Sequence, residues 1–286
     1  MSLTNLQVCK SFLGQYPEGV QTALVSLLSP KMREAYQNLA PSTPFQKERL
    51  SEDLLDCVHF SWLAPYLRTH STHDLPFLLA ALNPAQKEGL EKLLGYRNGV
   101  PPLEPIAKRH LRTHLRSVAT QNQSLIPLSC LPESPLNPLA ELEEKRLLKL
   151  IRFLGLHDLS LEMRQIIATA TLKKIFHSLA KDEGEYLNSL LLHREPLVFK
   201  RLFLEKWDGT KENLENLLEE RGLQRLAHAL QFASPSLSWY ITHRLDIQLA
   251  STLLSYTEKP SHTRAESLLT GQIEKILPLL QNGGGS

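Results

Sequence analysis

The sequence predicts an all-α protein made of short helices joined by tight turns. Leucine is abundant, while glycine contributes 13 of the 286 residues and aromatic residues 7%, a composition that favours helices over strands. Apolar residues recur at spacings of three and four along most of the chain, which places them on one face of a helix. A small polar residue followed by proline opens three of these stretches, and no alternating segment of strand length occurs.

The three proline-containing helix starts share one local form. They are Ser29-Pro30, Asn83-Pro84 and Ser234-Pro235. The first residue of each can cap the helix with its side chain, and the proline takes the first helical position, where a missing N–H is harmless. A leucine- or alanine-rich helix precedes each start. Such helix pairs stack into solenoids because one pair cannot bury its own apolar face, but convergent capping in any helical protein gives the same pattern.

The C-terminal half has the most regular helical pattern. A helix begins at Glu141 and is expected to end near Gly155. Another apolar stripe, through Leu214 and Leu218, precedes Gly222, which predicts a helix stop because glycine adopts left-handed backbone angles without steric cost. Further short helices follow, with the apolar residues Leu223, Leu226, Leu230, Leu237, Ile241, Leu245, Leu249 and Leu253.

A proline-rich segment divides the chain. Proline at the density found in residues 118–140 prevents a continuous helix and favours extended structure; the prolines are Pro127, Pro132, Pro135 and Pro138. The length also favours two domains. We predict an N-terminal helical domain over residues 1–117, a linker over 118–140 and a C-terminal helical domain over 141–281. Residues 282–286 are expected to form a flexible tail, either a linker or a cloning remnant.

The composition and motifs exclude several classes of protein. The net charge of +2 gives no global field for nucleic acid. The odd, widely separated cysteines Cys9, Cys57 and Cys130 are typical of reduced cytosolic chains. No signal-peptide pattern opens the sequence, and no apolar run is long enough to cross a bilayer. Nucleotide-binding, zinc-protease and hydrolase motifs are missing from the sequence, so we expect no enzyme activity and no cofactor.

A basic helical stretch is a candidate binding surface. Spacings of three and four place Arg109, Arg112 and Arg116 on one face. That face could meet an acidic protein, nucleic acid or an anionic lipid, or it could simply be solvated. No aromatic residue lies in the stretch, which disfavours single-stranded nucleic acid. His110 and His114 have a spacing that can hold zinc, but the surrounding cations would repel a metal, and we expect none.

The segment from Leu214 to Leu253 has a recognisable order of parts. An apolar helix is followed by Leu-Ala-x-Ala-Leu, a small-residue corner and an amphipathic helix. The residues are Leu214, Leu217, Leu218, Leu226, Ala227, Ala229, Leu230, Ala233, Ser234, Leu237, Ile241, Leu245 and Ala250. This order resembles the C-terminal domain of the flagellar motor switch family FliG, and the resemblance implies armadillo-like, right-handed helical repeats.

Two shorter stretches are compared with the same family. Gln15, Tyr16, Pro17 and Glu18 stand where the FliG middle domain has a Glu-His-Pro-Gln tetrapeptide that contacts the next switch-complex protein, and only the proline is kept. At the start of the family's torque-generating helix, Thr210-Lys211-Glu212-Asn213 replaces an Asp-Asp-Arg-Ser-like run. The candidate partner contacts are therefore residues 15–18 and the pair Lys211 and Glu212. The charge pattern of residues 210–213 disfavours contact with a rotary stator.

The stretch His59–Leu63 reads HFSWL, and its aromatic residues are expected to pack in a core rather than to form an exposed binding stripe. It resembles a His-Pro-Ser-Trp-Leu-like motif of the SctK family, with Phe60 in place of the proline. SctK proteins are cytosolic adaptors of type III secretion systems, and the resemblance makes His59 and Trp62 candidate partner contacts.

The resemblances together imply a non-enzymatic scaffold for protein transport. Such a protein is cytoplasmic and peripheral to the inner membrane, and it links the inner-membrane ring to the sorting platform. The implied partners are the cytoplasmic domain of that ring, a cytosolic pod or switch protein, and a further copy of the chain, with no small-molecule substrate. Two alternatives remain open: a flagellar switch component, and a binder of anionic surfaces or nucleic acid through the basic helix.

Overall fold

The computed structural model describes residues 3–14, 16–39, 53–193, 202, 204, 207–257 and 263–281. Within these ranges the chain is helical and has no β-strand, which confirms the all-α prediction. The α-helices are α1 (Leu3–Leu13), α2 (Glu18–Ser26), α3 (Pro30–Gln37), α4 (Ala64–Leu67), α5 (Leu75–Ala80), α6 (Pro84–Leu94), α7 (Pro105–Ala119), α8 (Glu144–Met163), α9 (Thr169–Ser178), α10 (Lys181–Leu192), α11 (Lys211–Leu230), α12 (Pro235–Arg244), α13 (Ile247–Thr257) and α14 (Thr263–Gln281). Short 3₁₀ helices occupy Leu54–Cys57, Phe60–Trp62, Leu128–Cys130 and Asn137–Glu141.

The chain forms two compact units. Unit 1 comprises residues 1–140 together with 234–250, and unit 2 comprises residues 141–233 together with 251–286. The proline-rich segment 118–140 belongs to unit 1, and it supplies buried side chains that include Ile126, Leu131 and Leu139. The repeat architecture and the domain boundaries drawn from the sequence stay predictions. The expected tail, residues 282–286, lies outside the described residues.

Proline opens α3, α6 and α12, as the sequence predicts. The side chain of Asn83 accepts a hydrogen bond from the backbone N–H of Gln86 at 2.9 Å. The hydroxyl of Ser234 accepts one from the N–H of Leu237 at 3.2 Å. Ser29 precedes Pro30 but makes no such bond. Side-chain capping is therefore confirmed for Asn83 and Ser234, where it fixes the first turn of the helix.

Unit 1 has a leucine core that draws on both of its chain segments. Fully buried side chains include Leu55, Leu63, Leu79, Leu90, Leu115, Leu139, Ile241 and Leu245. Gln86 is one of the polar side chains built into this core. The amide of Gln86 in α6 donates to the carbonyl oxygens of Leu55 and Val58, both at 2.7 Å. Because each carbonyl is buried, these bonds satisfy groups that would otherwise destabilise the fold.

Unit 2 is organised around α8 and α11, two helices of 20 residues each. α10 and α14 both pack against α8, and α14 also packs against α11. Unit 2 contains a buried apolar cluster, whose side chains include Leu156, Leu159, Met163, Ile175, Leu187, Leu202, Leu204, Leu214 and Leu218.

Gly155 and Gly222 lie inside α8 and α11 rather than at helix ends. The predictions that a helix ends near Gly155 and that Gly222 stops one are therefore wrong. A Cβ on Gly155 would lie 2.2 Å from the carbonyl oxygen of Leu218, and a Cβ on Gly222 would lie 1.7 Å from that of Ile151. The two helix backbones are thus in direct contact, and glycine is present because no side chain fits between them.

A buried ion pair lies one turn beyond each glycine. The guanidinium of Arg225 in α11 donates to Asp158 in α8 at 2.6 Å, and the two side chains are 0% and 4% exposed. It also donates to the amide oxygen of Gln272 in α14 at 2.9 Å. A buried charge is tolerated only when it is paired and hydrogen-bonded. Three helices of unit 2, α8, α11 and α14, are therefore joined by one polar cluster.

Replacing Gly222 with alanine should strongly destabilise unit 2. The added methyl group would collide with the backbone of α8. Backbone atoms cannot move aside as a flexible side chain can, so we expect a loss of roughly 3 kcal/mol in the free energy of unfolding. Gly271 is the matched control, because it also lies inside a helix but has no neighbouring atom within 4 Å of the position that a Cβ would take.

For Gly271→Ala we expect a gain of about 0.5–1 kcal/mol from helix propensity alone. Urea denaturation followed by circular dichroism measures both variants. Equal stability of the two alanine variants would contradict the contact between the helix backbones.

Candidate functional site

Trp62 of the HFSWL stretch joins two residues of α12 in a stack of three aromatic rings in unit 1. The Trp62 ring stacks on His243 of α12 with centroids 4.0 Å apart, and Trp239 stacks on His243 at the same distance. The indole N–H of Trp62 donates to the carbonyl oxygen of Leu245 at 3.0 Å. This arrangement places the imidazole of His243 between two indoles. Trp62 contacts the core through this stack but stays partly exposed.

Neighbouring polar groups fix the same region. The backbone N–H of His59 donates to the carbonyl oxygen of His243 at 2.7 Å. The Ser61 hydroxyl contacts Nδ1 of His59 at 2.8 Å and accepts from the N–H of Ile247 at 2.9 Å. His59 and Trp62 thus join residues 59–62 to residues 239–247 within unit 1. Their predicted role as partner contacts is not tested by these bonds, and it stays a prediction.

The buried position of His243 changes its acid–base behaviour. Burial is the main cause, and it lowers the pKa to about 4, although a hydrogen bond to the carbonyl oxygen of Trp239 acts in the opposite direction. That bond, at 2.9 Å, requires the proton on Nδ1. His243 is therefore neutral at physiological pH.

The stability of the protein should fall as His243 is forced to take up a proton. Between pH 6.5 and about 4 the unfolded chain binds a proton that the folded chain does not, so the free energy of unfolding decreases as the pH falls through this window. The full effect of this group is roughly 3 kcal/mol.

His243→Phe keeps a ring between the two indoles but cannot titrate, so its stability should vary less with pH over the same window. Urea midpoints measured across that range test this, with His73→Phe, a change at an exposed position of unit 1, as the control for the substitution itself. Identical pH profiles for the wild type and His243→Phe would show that the imidazole does not control this loss.

The three arginines of α7 do not form one free basic face. Arg112 donates to Asp53 at 2.8 Å and to Asp56 at 2.7 Å, with only 16% of its side chain exposed. It also donates to the carbonyl oxygen of Ala81 at 3.1 Å. Burial alone would lower the pKa of Arg112, but the hydrogen bonds to the two carboxylates outweigh burial and raise it. Arg112 therefore serves the fold of unit 1.

Arg109 and Arg116 remain exposed beside two concave sites. The larger, of about 750 Å³, lies between α7, the 3₁₀ helix Leu54–Cys57 and the segment that follows α7. The smaller, of about 500 Å³, is lined by α7 residues and Asp53. Asp53, Thr113 and Arg116 line both. We call the two concave sites together the α7 groove.

The turn that follows α7 has an unusual backbone. Gln121 and Asn122 have φ angles of 49° and 59°, in the left-handed region that favours glycine. The N–H of Gln121 donates to the carbonyl oxygen of Val118 at 3.1 Å, and that of Asn122 to the carbonyl oxygen of Ser117 at 3.0 Å. These two bonds form a Schellman motif, which normally ends a helix with glycine. Ser117 and Asn122 both line the α7 groove.

Gln121→Gly should stabilise the protein. Glycine removes the steric penalty of the left-handed conformation, and this exceeds the extra freedom that glycine has in the unfolded chain, so we expect a gain of roughly 1 kcal/mol. Gln123 is an exposed neighbour without a positive φ, so Gln123→Gly should give no gain. Thermal melting compares the two variants, and a Gln121→Gly protein no more stable than Gln123→Gly would contradict the strain.

The candidate contacts taken from the FliG resemblance lie on two helix starts. Tyr16, Pro17 and Glu18 are exposed where α2 begins, and Gln15 lies outside the described residues. Lys211 and Glu212 are exposed in the first turn of α11. Thr210 caps that helix by accepting from the N–H of Asn213 at 3.3 Å. These residues belong to different units, residues 16–18 to unit 1 and residues 211–212 to unit 2.

Of the two spaced histidines on α7, His114 contacts Tyr66 of α4. His114 lies 2.5 Å from the Tyr66 hydroxyl through its Nε2, and the two rings are 5.6 Å apart. Among the described residues no group of three or more His, Cys, Asp or Glu side chains is placed to hold a metal ion.

Sequence reasoning missed the most connected residues of this region. Trp239 and His243 were not singled out, although their spacing of four on one helix face is the available signal. Their partner Trp62 is 181 positions from His243 in the sequence, and no local pattern reports such a contact.

No family model, curated protein or solved structure matches the chain. The likeness to FliG and SctK proteins therefore remains a prediction from the sequence. In the described part of the chain no helix combines the length and the apolar character needed to cross a membrane.

Proposed function

We propose that this protein is a non-enzymatic adaptor in the cytosolic base of a type III secretion system, where it links the inner-membrane ring to cytosolic components. One structural observation carries the proposal: an exposed apolar face on α1 and α2. The sequence resemblance to SctK and FliG proteins supplies the identity of the apparatus.

The N-terminal apolar face consists of Phe12, Tyr16, Val20, Leu24 and Leu27. Val20, Leu24 and Leu27 follow at spacings of four and three, with exposed fractions of 42%, 38% and 80%. Phe12 and Tyr16 extend the face in an edge contact of 5.6 Å between ring centroids. No residue of α2 is buried. A contiguous apolar surface of this kind is typical of a docking site.

Burial of this face against a partner would drive association. Each large apolar side chain that leaves water contributes about 2 kcal/mol, and the side chains of this face are already exposed. The face also contains Tyr16 and adjoins Pro17 and Glu18, the positions compared with the partner-binding tetrapeptide of the FliG middle domain. We therefore assign the face to a cytosolic pod or switch protein.

An adaptor also fits the way the polar groups are used. The histidines and arginines that could have carried chemistry, such as His243, Arg112 and Arg225, bond to other groups within their own unit. Their role is to hold helices in place, and rigid helices are what a docking protein needs.

Leu24→Glu should weaken binding of the cytosolic partner about tenfold or more, because it places a charge in the apolar contact. Leu93→Glu is the matched control: Leu93 is a leucine of similar exposure, 43% against 38%, on α6. Both variants should fold like the wild type, since both positions are exposed.

The measurement is co-purification of the wild type and both variants with inner-ring and cytosolic proteins of the secretion apparatus. If the wild-type chain recovers neither class, while known pairs assemble in the same preparation, the proposal is overturned. Recovery of flagellar switch proteins instead would favour the flagellar alternative.

A further inference from the structure

We propose that the α7 groove binds an acidic peptide segment of a partner protein, with leucine-like side chains between its carboxylates. The inference goes beyond the secretion proposal and does not depend on it, because it uses only α7, the turn after α7 and the walls of the groove.

The charge of α7 is one-sided. The helix reads PIAKRHLRTHLRSVA and contains no acidic residue. Lys108 and Arg109 line one end of the groove, and Arg116 lines both of its concave sites. In the described part of the chain no ion pair neutralises these three side chains, whereas Arg112 between them is matched by Asp53 and Asp56. Cations gathered in a concave site raise the local potential and attract an anionic ligand.

The walls of the groove add apolar surface to this charge. Leu54, Leu125 and Leu128 line the larger concave site opposite Thr113 and Arg116. A ligand that carries only charge would leave these leucines in water. A peptide with apolar residues between its carboxylates would pair the cations and cover the leucines together, which is why we choose this ligand chemistry.

The spacing of the cations matches a short peptide. Arg109 and Arg116 are seven positions apart on one helix, which corresponds to about 10 Å along its axis. An extended peptide covers that distance in about three residues. Two carboxylates separated by two or three residues could therefore reach both arginines.

The turn at Gln121 and Asn122 supplies polar groups at the rim. The amide side chains of Asn122 and Gln123 line the larger site and can donate to carboxylates or to a peptide backbone. The left-handed backbone of this turn is held by two hydrogen bonds to the last turn of α7. Strained backbone of this kind is found repeatedly at ligand clamps.

Nucleic acid and membrane lipid fit the groove less well. Tyr240 is the aromatic side chain that lines it, but this ring is 3% exposed and its hydroxyl donates to the carbonyl oxygen of Ile126 at 3.1 Å. It therefore offers no face on which a base could stack. A membrane surface is broad and flat, so it could reach the rim cations but not the leucines inside.

The test uses a short fluorescein-labelled peptide with leucines between glutamates, and the same peptide with glutamine in place of glutamate. Binding to the full chain is followed by fluorescence anisotropy at low and high salt. We expect the glutamate peptide to bind more tightly than the glutamine peptide, with an affinity that falls as salt rises.

The double variant Arg109→Glu/Arg116→Glu should weaken this binding about tenfold or more. Arg68→Glu/Arg97→Glu is the matched control: it changes the net charge equally, and both arginines are exposed in unit 1 and line neither concave site. The control should bind the peptide like the wild type, and so should Leu24→Glu, which separates this site from the N-terminal apolar face. Circular dichroism checks that each variant is folded.

Three results would overturn the proposal. The first is no preference for the glutamate peptide at low salt. The second is an equal loss of binding in the two double variants, which would show unspecific charge attraction. The third is tighter binding of single-stranded DNA, or of phosphatidylserine vesicles, that depends on Arg109 and Arg116; this would assign the groove to nucleic acid or to lipid.

Discussion

The backbone contact between α8 and α11 is the constraint on which unit 2 depends. Gly155 and Gly222 let the two helices approach until no side chain fits between them. This approach brings Asp158 and Arg225 together in the interior, where the amide of Gln272 in α14 also bonds to the guanidinium. The apolar core can close around this charge pair because the guanidinium bonds both to the carboxylate of Asp158 and to the amide oxygen of Gln272. Packing and electrostatics in this unit therefore have one geometric origin.

In unit 1, stacked aromatic rings bring together residues that are distant in the sequence. Trp62 and Trp239 hold the His243 imidazole between them, and the backbone and hydroxyl groups of residues 59–61 bond to the chain near α12. The two surfaces that we propose for partners lie elsewhere in unit 1. One is the N-terminal apolar face, and the other is the row of cations along the α7 groove.

Local chemistry was predictable from the sequence, and contacts between distant residues were not. The caps Asn83 and Ser234 follow from residue type and the next proline, because a cap acts within its own first turn. Gly222 was misread because a glycine that ends a helix and a glycine that admits a neighbouring helix look alike in one sequence. Likewise, the spacing of Arg109, Arg112 and Arg116 shows that they share a face, but the pairing of Arg112 depends on Asp53 and Asp56, more than 50 positions away. The sequence alone therefore does not show which cations of the α7 groove are left without an acidic partner among the described residues.

The interleaved order of the two units has a consequence for biosynthesis. Unit 1 needs residues 234–250, which supply Ile241 and Leu245 to its core and two of the three stacked rings. During translation its first 140 residues emerge long before that segment, and unit 2 begins in between. The leucines of the first segment must therefore remain without their final neighbours while most of the chain is made. Closure of unit 1 is a late, non-local step, and such steps are slow and leave apolar surface of the nascent chain exposed.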